Sequence, residues 1–148
     1  MATEKQELGA YGEIAVVREV ECPRCKRART LKRLPTNFRC ADVICDFCGY
    51  LAQVKTVTVR TIERIPERVL GAAWLPQKER MDSGIYFPLF LVLVDAKRSF
   101  AIYYLPADLQ DRAIFAPRTP LSGLARRAGW RGFVYSLEGR AERFTRLK

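Results

Sequence analysis

The sequence contains no histidine. That absence removes Ser-His-Asp and Cys-His hydrolases, His-metal nucleases and HExxH sites together. Any chemistry must run on carboxylate, amide, lysine, tyrosine or cysteine groups. Acidic residues are scarce as well: 16 Asp and Glu stand against 26 Lys and Arg, a formal charge of +10. Long apolar runs are missing. The longest, Ile85 to Val94, is about half of the ~20 residues that span a bilayer, and Pro88 interrupts it. The first ten residues are charged and polar, unlike a secretory leader. The chain reads as soluble and intracellular, with no membrane partner. Its 148 residues, 49% hydrophobic, are expected to form one domain with a buried core.

The positive excess lies in two blocks. Arg18 to Arg33 carries seven Lys/Arg against Glu19 and Glu21, and Arg126 to Lys148 carries seven against Glu138 and Glu142. The remainder is neutral. A clustered excess suits a polyanion, with phosphate contacts supplying affinity without sequence information. A solvated basic face with no ligand is the plainer alternative.

Five cysteines are present. Two knuckles, Cys22-Pro-Arg-Cys25 and Cys45-Asp-Phe-Cys48, are separated by nineteen residues. This spacing falls in the C-x2-C-x15–20-C-x2-C pattern of a structural four-cysteine zinc site. All four coordination positions would be filled by protein, leaving none for water. An intracellular setting disfavours disulfides. Cys40, the fifth, reads as a small buried strand residue.

A helix is expected from Thr3 to Val20, with Thr3 as N-cap and Leu8, Tyr11 and Ala15 on one stripe. Glu13 lies near that stripe's edge. A basic loop or ragged strand should follow from Lys26 to Asn37. Strands are expected over Phe38 to Ile44, Leu51 to Arg60, Leu89 to Val94, Phe100 to Leu105 and Phe133 to Leu137. Glu67 to Met81 has a mixed helical pattern that Pro76 disturbs, and Pro106 to Ala113 reads as a short helix. Trp130 and Tyr135 are expected to pack a core.

Alternation places Gln53 and Lys55 on one face of their strand. Whether Asp42 faces them depends on pairing register. Phosphodiester cleavage without histidine needs oxygen ligands for Mg2+ and a way to activate water, with a nearby Lys to stabilise developing charge. Asp42, Gln53 and Lys55 fit that layout, except that an amide replaces the second carboxylate. Gln-x-Lys alone is usually a polar strand face. An Asp eleven residues earlier, across a zinc knuckle, is more specific.

The chain resembles the catalytic domain of DpnI-type restriction endonucleases, in the PD-(D/E)XK superfamily. The matching pieces are Cys22-Pro-Arg-Cys25, Ala41-Asp42, Cys45-Asp-Phe-Cys48, Val54-Lys55 and Pro120-Leu-Ser-Gly-Leu-Ala-Arg-Arg-Ala-Gly-Trp130. The resemblance implies an α/β fold over residues 1–148: a restriction-endonuclease-like mixed sheet flanked by helices, with a zinc site inserted at 22–48. It implies a Mg2+-dependent DNA endonuclease of the bacterial or archaeal cytoplasm. Asp42 and Gln53 would be Mg2+ ligands, Lys55 the catalytic lysine and Glu13 the first-helix carboxylate near the metal. Arg126, Arg127 and Arg131 would hold the backbone of double-stranded DNA. Gln53 stands where the DpnI-type pattern has Glu, although Mrr-type relatives use Gln-x-Lys. The DpnI-type enzyme continues into a winged helix that reads N6-methyladenine; the sequence to Lys148 shows none, so any methylation dependence must rest on this domain or a partner. A homodimer or a separate DNA-reading subunit is the expected assembly. A zinc-stabilised DNA-binding module that has lost catalysis, and a zinc ribbon binding RNA or protein, are the competing readings.

Overall fold

The computed structural model describes residues 2–148 apart from Asn37, Arg39 and Thr119. Helix α1 (Glu4–Glu19) begins with a reciprocal cap: the Gln6 N–H donates to the Thr3 hydroxyl, and the Gln6 side chain accepts from the Thr3 N–H. The chain then runs through β1 (Leu31–Arg33), β2 (Val43–Cys45), β3 (Leu51–Thr58), β4 (Arg68–Trp74), α2 (Leu75–Asp82), β5 (Leu89–Val94), β6 (Phe100–Leu105), β7 (Phe115–Ala116), α3 (Gly123–Arg127), β8 (Trp130–Ser136) and β9 (Thr145–Arg146). Among the described residues, no helix is long and apolar enough to cross a membrane.

One sheet has the order β1-β2-β3-β5-β6-β9, and a second has β4-β8-β7. The larger sheet is mixed. β3 and β5 are parallel, with Gln53 opposite Leu89 and Lys55 opposite Leu91, while its other pairs are antiparallel. All six residues of β5 are buried, as its unbroken apolar run predicts. Phe90, Val92 and Val94 pack with Ala15, Val16 and Val20 of α1. Leu89, Leu91 and Leu93 pack with Val69, Ala73, Phe133 and Tyr135 of the second sheet and with Met81 of α2. The sheet is thus covered by a helix on one face and chiefly by another sheet on the other.

Several expectations change. Residues 68–74 form a strand rather than a helix, with Val69, Gly71 and Ala73 buried in alternation. Gly71 is small because aromatic rings lie over it: a Cβ there would come within 2.7 Å of the Phe133 ring. Small residues hide period-two alternation from a reading based on hydrophobicity. Pro76 starts α2 within its first turn instead of disturbing it, since the missing N–H has no intrahelical partner there. The strand expected over Phe38 to Ile44 shrinks to β2, with Asn37 and Arg39 outside the described residues. Cys40 lies in a bend and is only half-buried. The short helix expected at Pro106 to Ala113 is a pair of 3-10 turns.

Helix α1 crosses β3 at Gly12, where a Cβ would meet Thr56 Oγ1 at 1.7 Å and Thr56 Cβ at 2.9 Å. Because Thr56 is β-branched and its Oγ1 is buried, it cannot swing aside. Gly12→Ala is therefore expected to cost about 1–3 kcal/mol by overpacking. Gly9→Ala, three residues earlier with nothing within 4 Å of its Cβ, should gain roughly 0.5–1 kcal/mol through helix propensity. Urea unfolding midpoints of the two variants should move in opposite directions.

Candidate functional site

The four knuckle cysteines converge where the exit of α1 meets the turn between β2 and β3. Their Sγ atoms all lie within 4.8 Å of one another. Cys22 is 3.6 Å from Cys48, and Cys25 is 3.8 Å from Cys45. A tetrahedral ion bound at about 2.3 Å to each sulfur requires edges of about 3.8 Å, so the cluster could hold a metal ion such as Zn2+. The knuckles share one geometry. Lys26 N–H donates to Cys22 O and Gly49 N–H to Cys45 O, both at 2.9 Å. The residue after each second cysteine is left-handed, φ 63° at Lys26 and 78° at Gly49. Burial pushes the Cys22 thiol up to about 12. Burial acts upward on Cys45 too, but the Thr30 hydroxyl and the Cys48 and Phe47 N–H groups outweigh it and bring that thiol down to about 6.

Cys45 ends β2, and Asp42 stands just before β2 begins. The β2–β3 ladder pairs Ile44 with Leu51 and Val43 with Ala52, then stops one step short of Asp42 and Gln53. It stops because Asp42 Oδ2 accepts the Val54 N–H at 2.8 Å, a donor that a continued ladder would give to a main-chain carbonyl. Asp42 Oδ1 has no hydrogen-bond partner among the described residues. Among the described residues, the Gln53 amide reaches only the Cys40 carbonyl, at 3.5 Å.

Asp42, Gln53 and Lys55 line one cavity of about 280 Å3, together with Gln77, Trp130 and Tyr135. Burial raises the Asp42 carboxyl from an ordinary 3.8 to about 6; the Val54 N–H opposes the rise, the charge of Glu13 adds to it, and Lys55 opposes it. Burial lowers Lys55 below its ordinary 10.5, reinforced by Lys5 and Arg118 and opposed by Asp42. Burial likewise raises the Tyr135 hydroxyl, with the Asp42 charge adding to the rise.

Residues 2–140 match the family model named DpnI, described as the Dam-replacing family. The chain belongs to that family. No curated protein matches it. Membership in the DpnI family points to a restriction-like nuclease that binds DNA.

The other residues singled out in this DpnI-family sequence are placed differently. Glu13 is close enough to influence Asp42, but it does not line the cavity; its Oε1 is paired with Arg33 Nε of β1 at 3.1 Å. Arg126 and Arg127 close the short, exposed helix α3. Arg131 Nη1 donates to the Arg126 and Trp130 carbonyls at 3.1 and 2.9 Å. None of the three lines the cavity. Tyr135 is a core residue, 6% exposed, and also a cavity wall, while Trp130 is half-buried at the rim. Sequence reasoning missed Gln77, which is 3% exposed with no hydrogen-bond partner among the described residues. Its only sequence signal was its position just after Pro76, in a stretch assigned wholly to helix.

Metal analysis should give one Zn2+ per chain in the wild type and in Cys40→Ala, and a loss in Cys48→Ala. Stripping the metal with a strong chelator should lower the thermal midpoint by about 10 °C, the shift that ~3 kcal/mol produces in a chain of this size.

Because the folded Asp42 value lies above 3.8, the folded chain keeps a proton that the unfolded chain has lost. Asp42 therefore favours folding at low pH and costs stability as pH rises through about 6. In Mg2+-free buffer, Asp42→Asn should be more stable than wild type by about 1–3 kcal/mol at pH ~8, with the gain vanishing near pH ~3.5, read from urea midpoints.

Proposed function

We propose that residues 1–148 act as one nuclease domain, a Mg2+-dependent DNA endonuclease of restriction type with a structural zinc at 22–48. The observation that supports this reading is the meeting of Asp42, Gln53 and Lys55 in one cavity, with Asp42 Oδ1 left without a hydrogen-bond partner among the described residues. Asp42 Oδ1 and the Gln53 amide oxygen are hard oxygen donors on adjoining strand ends and suit Mg2+. When bound, Mg2+ supplies Lewis-acid polarisation of a phosphate oxygen and a water of lowered pKa.

The chain's own groups do the rest. Lys55 presents an ammonium where charge develops on the phosphate. Asp42, fixed through the Val54 N–H, would hold the cation with its other oxygen. Glu13, turned aside to Arg33, adds negative potential at Asp42 rather than a ligand. With one carboxylate instead of two, the site needs more Mg2+ than a Glu-x-Lys site. Adenine-methylation dependence belongs to the same reading, with double-stranded DNA as the substrate and a homodimer or a DNA-reading subunit serving the second strand.

Gln53 also favours a second reading, a DNA-binding module of the same fold without catalysis. Cleavage of adenine-methylated and unmethylated plasmid with Mg2+ and with Mn2+ separates the two. Under the nuclease reading, Lys55→Ala lowers the cleavage rate by about 10²–10³-fold while duplex binding persists, and Gln53→Glu moves half-saturation to lower Mg2+. A folded, zinc-bound protein that binds duplex but cuts neither plasmid with either metal would leave only the binding module.

A further inference from the structure

A groove of about 670 Å3 runs between the N-terminal half of α1 and strands β3 and β4. It shares Val54, Lys55, Gly71 and Ala72 with the smaller cavity, so the two hollows meet along one wall at Lys55. Lys5, Lys55, Arg68 and Arg118 line the groove, and no Asp or Glu does. Five cations outside the groove, Arg33, Lys78, Arg143, Arg146 and Lys148, each pair with a carboxylate. None of the four groove cations has an ion-pair partner among the described residues.

Arg118 is held in place. Its Nη1 donates to the Gly71 carbonyl at 3.2 Å. Its aliphatic stem crosses β8 at Gly132, where a Cβ would come within 2.8 Å of Arg118 Cδ. A planar guanidinium fixed in advance loses little freedom on gripping a phosphate. Lys5 and Arg118 are also near enough to depress the protonation of Lys55, as expected of cations gathered without counter-charge.

We propose that this groove seats the sugar–phosphate backbone of the DNA strand flanking the scissile phosphate, with Lys5, Arg68 and Arg118 each neutralising a phosphate. The proposal rests on the nuclease reading and adds the path of the substrate. The groove set is separate from Arg126, Arg127 and Arg131, which lie outside both hollows.

The test is duplex binding by the full zinc-loaded chain in Mg2+-free buffer, measured by fluorescence anisotropy across a salt series. Lys5 and Arg68 are exposed, so Lys5→Ala, Arg68→Ala and the double variant should fold as wild type. Arg80→Ala, an exposed site on α2, controls for net charge. Each groove variant should reduce the slope of log Kobs against log salt by about 0.9, and the double variant by about 1.8. Arg80→Ala should leave the slope unchanged. A double variant with the wild-type slope would overturn the groove while leaving the nuclease reading intact. Equal slope losses on single-stranded RNA would overturn its assignment to DNA. Failure of the wild type to bind any duplex would remove the nuclease reading itself, and the groove with it.

Discussion

The register between β2 and β3 is the constraint on which the rest depends. β2 has only three residues, too few to hold its place by ladder hydrogen bonds alone. A cysteine knuckle closes its C-terminal end and turns the chain into β3, while the other knuckle ties that turn to the exit of α1. With Val43 fixed opposite Ala52, Asp42 and Gln53 fall at neighbouring strand ends. A slip of one residue would send every β2 side chain to the opposite face. The sulfur cluster touches nothing in the cavity, yet it governs which side chains meet there.

Around that hairpin, each face of β3 does a different job. Val54 packs with the α1 side, and Thr56 lies directly under Gly12 where the helix crosses. Gln53, Lys55 and Val57 follow Leu89, Leu91 and Leu93 of the parallel neighbour, toward the second sheet. The second sheet covers Val57 within the core but leaves a hollow over Gln53 and Lys55, walled by Trp130, Tyr135 and Gln77. Polar side chains therefore occupy strand positions that would otherwise be core, and burial accounts for the perturbed Asp42 and Lys55.

Much of this was legible in the residues. Thr3 announced the start of α1, the run Leu89 to Val94 announced a strand buried on both faces, and the doubled C-x-x-C announced a metal-sized cluster. Period-two alternation put Gln53 and Lys55 together because a strand has only two faces. Facts that depend on register or on distant partners were not legible. The termination of β2 by the Asp42 carboxylate cannot be read from Phe38 to Ile44. The alternation of β4 was masked by the small Gly71 and Ala73, and Gly71 answers to Phe133 and Tyr135 some sixty residues later. Arg118 sits among prolines with no periodic signal, and Lys5 and Arg68 lie outside both basic blocks.

Lys55 is reached from two sides, by the Asp42 cavity and by the basic groove. In the empty protein, burial and two neighbouring cations work against its proton, and only Asp42 favours it. An anion entering the groove acts with Asp42 by supplying further counter-charge. In the nuclease reading, occupancy and protonation are therefore linked. The substrate itself strengthens the hold of Lys55 on its proton, so the ammonium is kept most firmly when the phosphate it faces is in place.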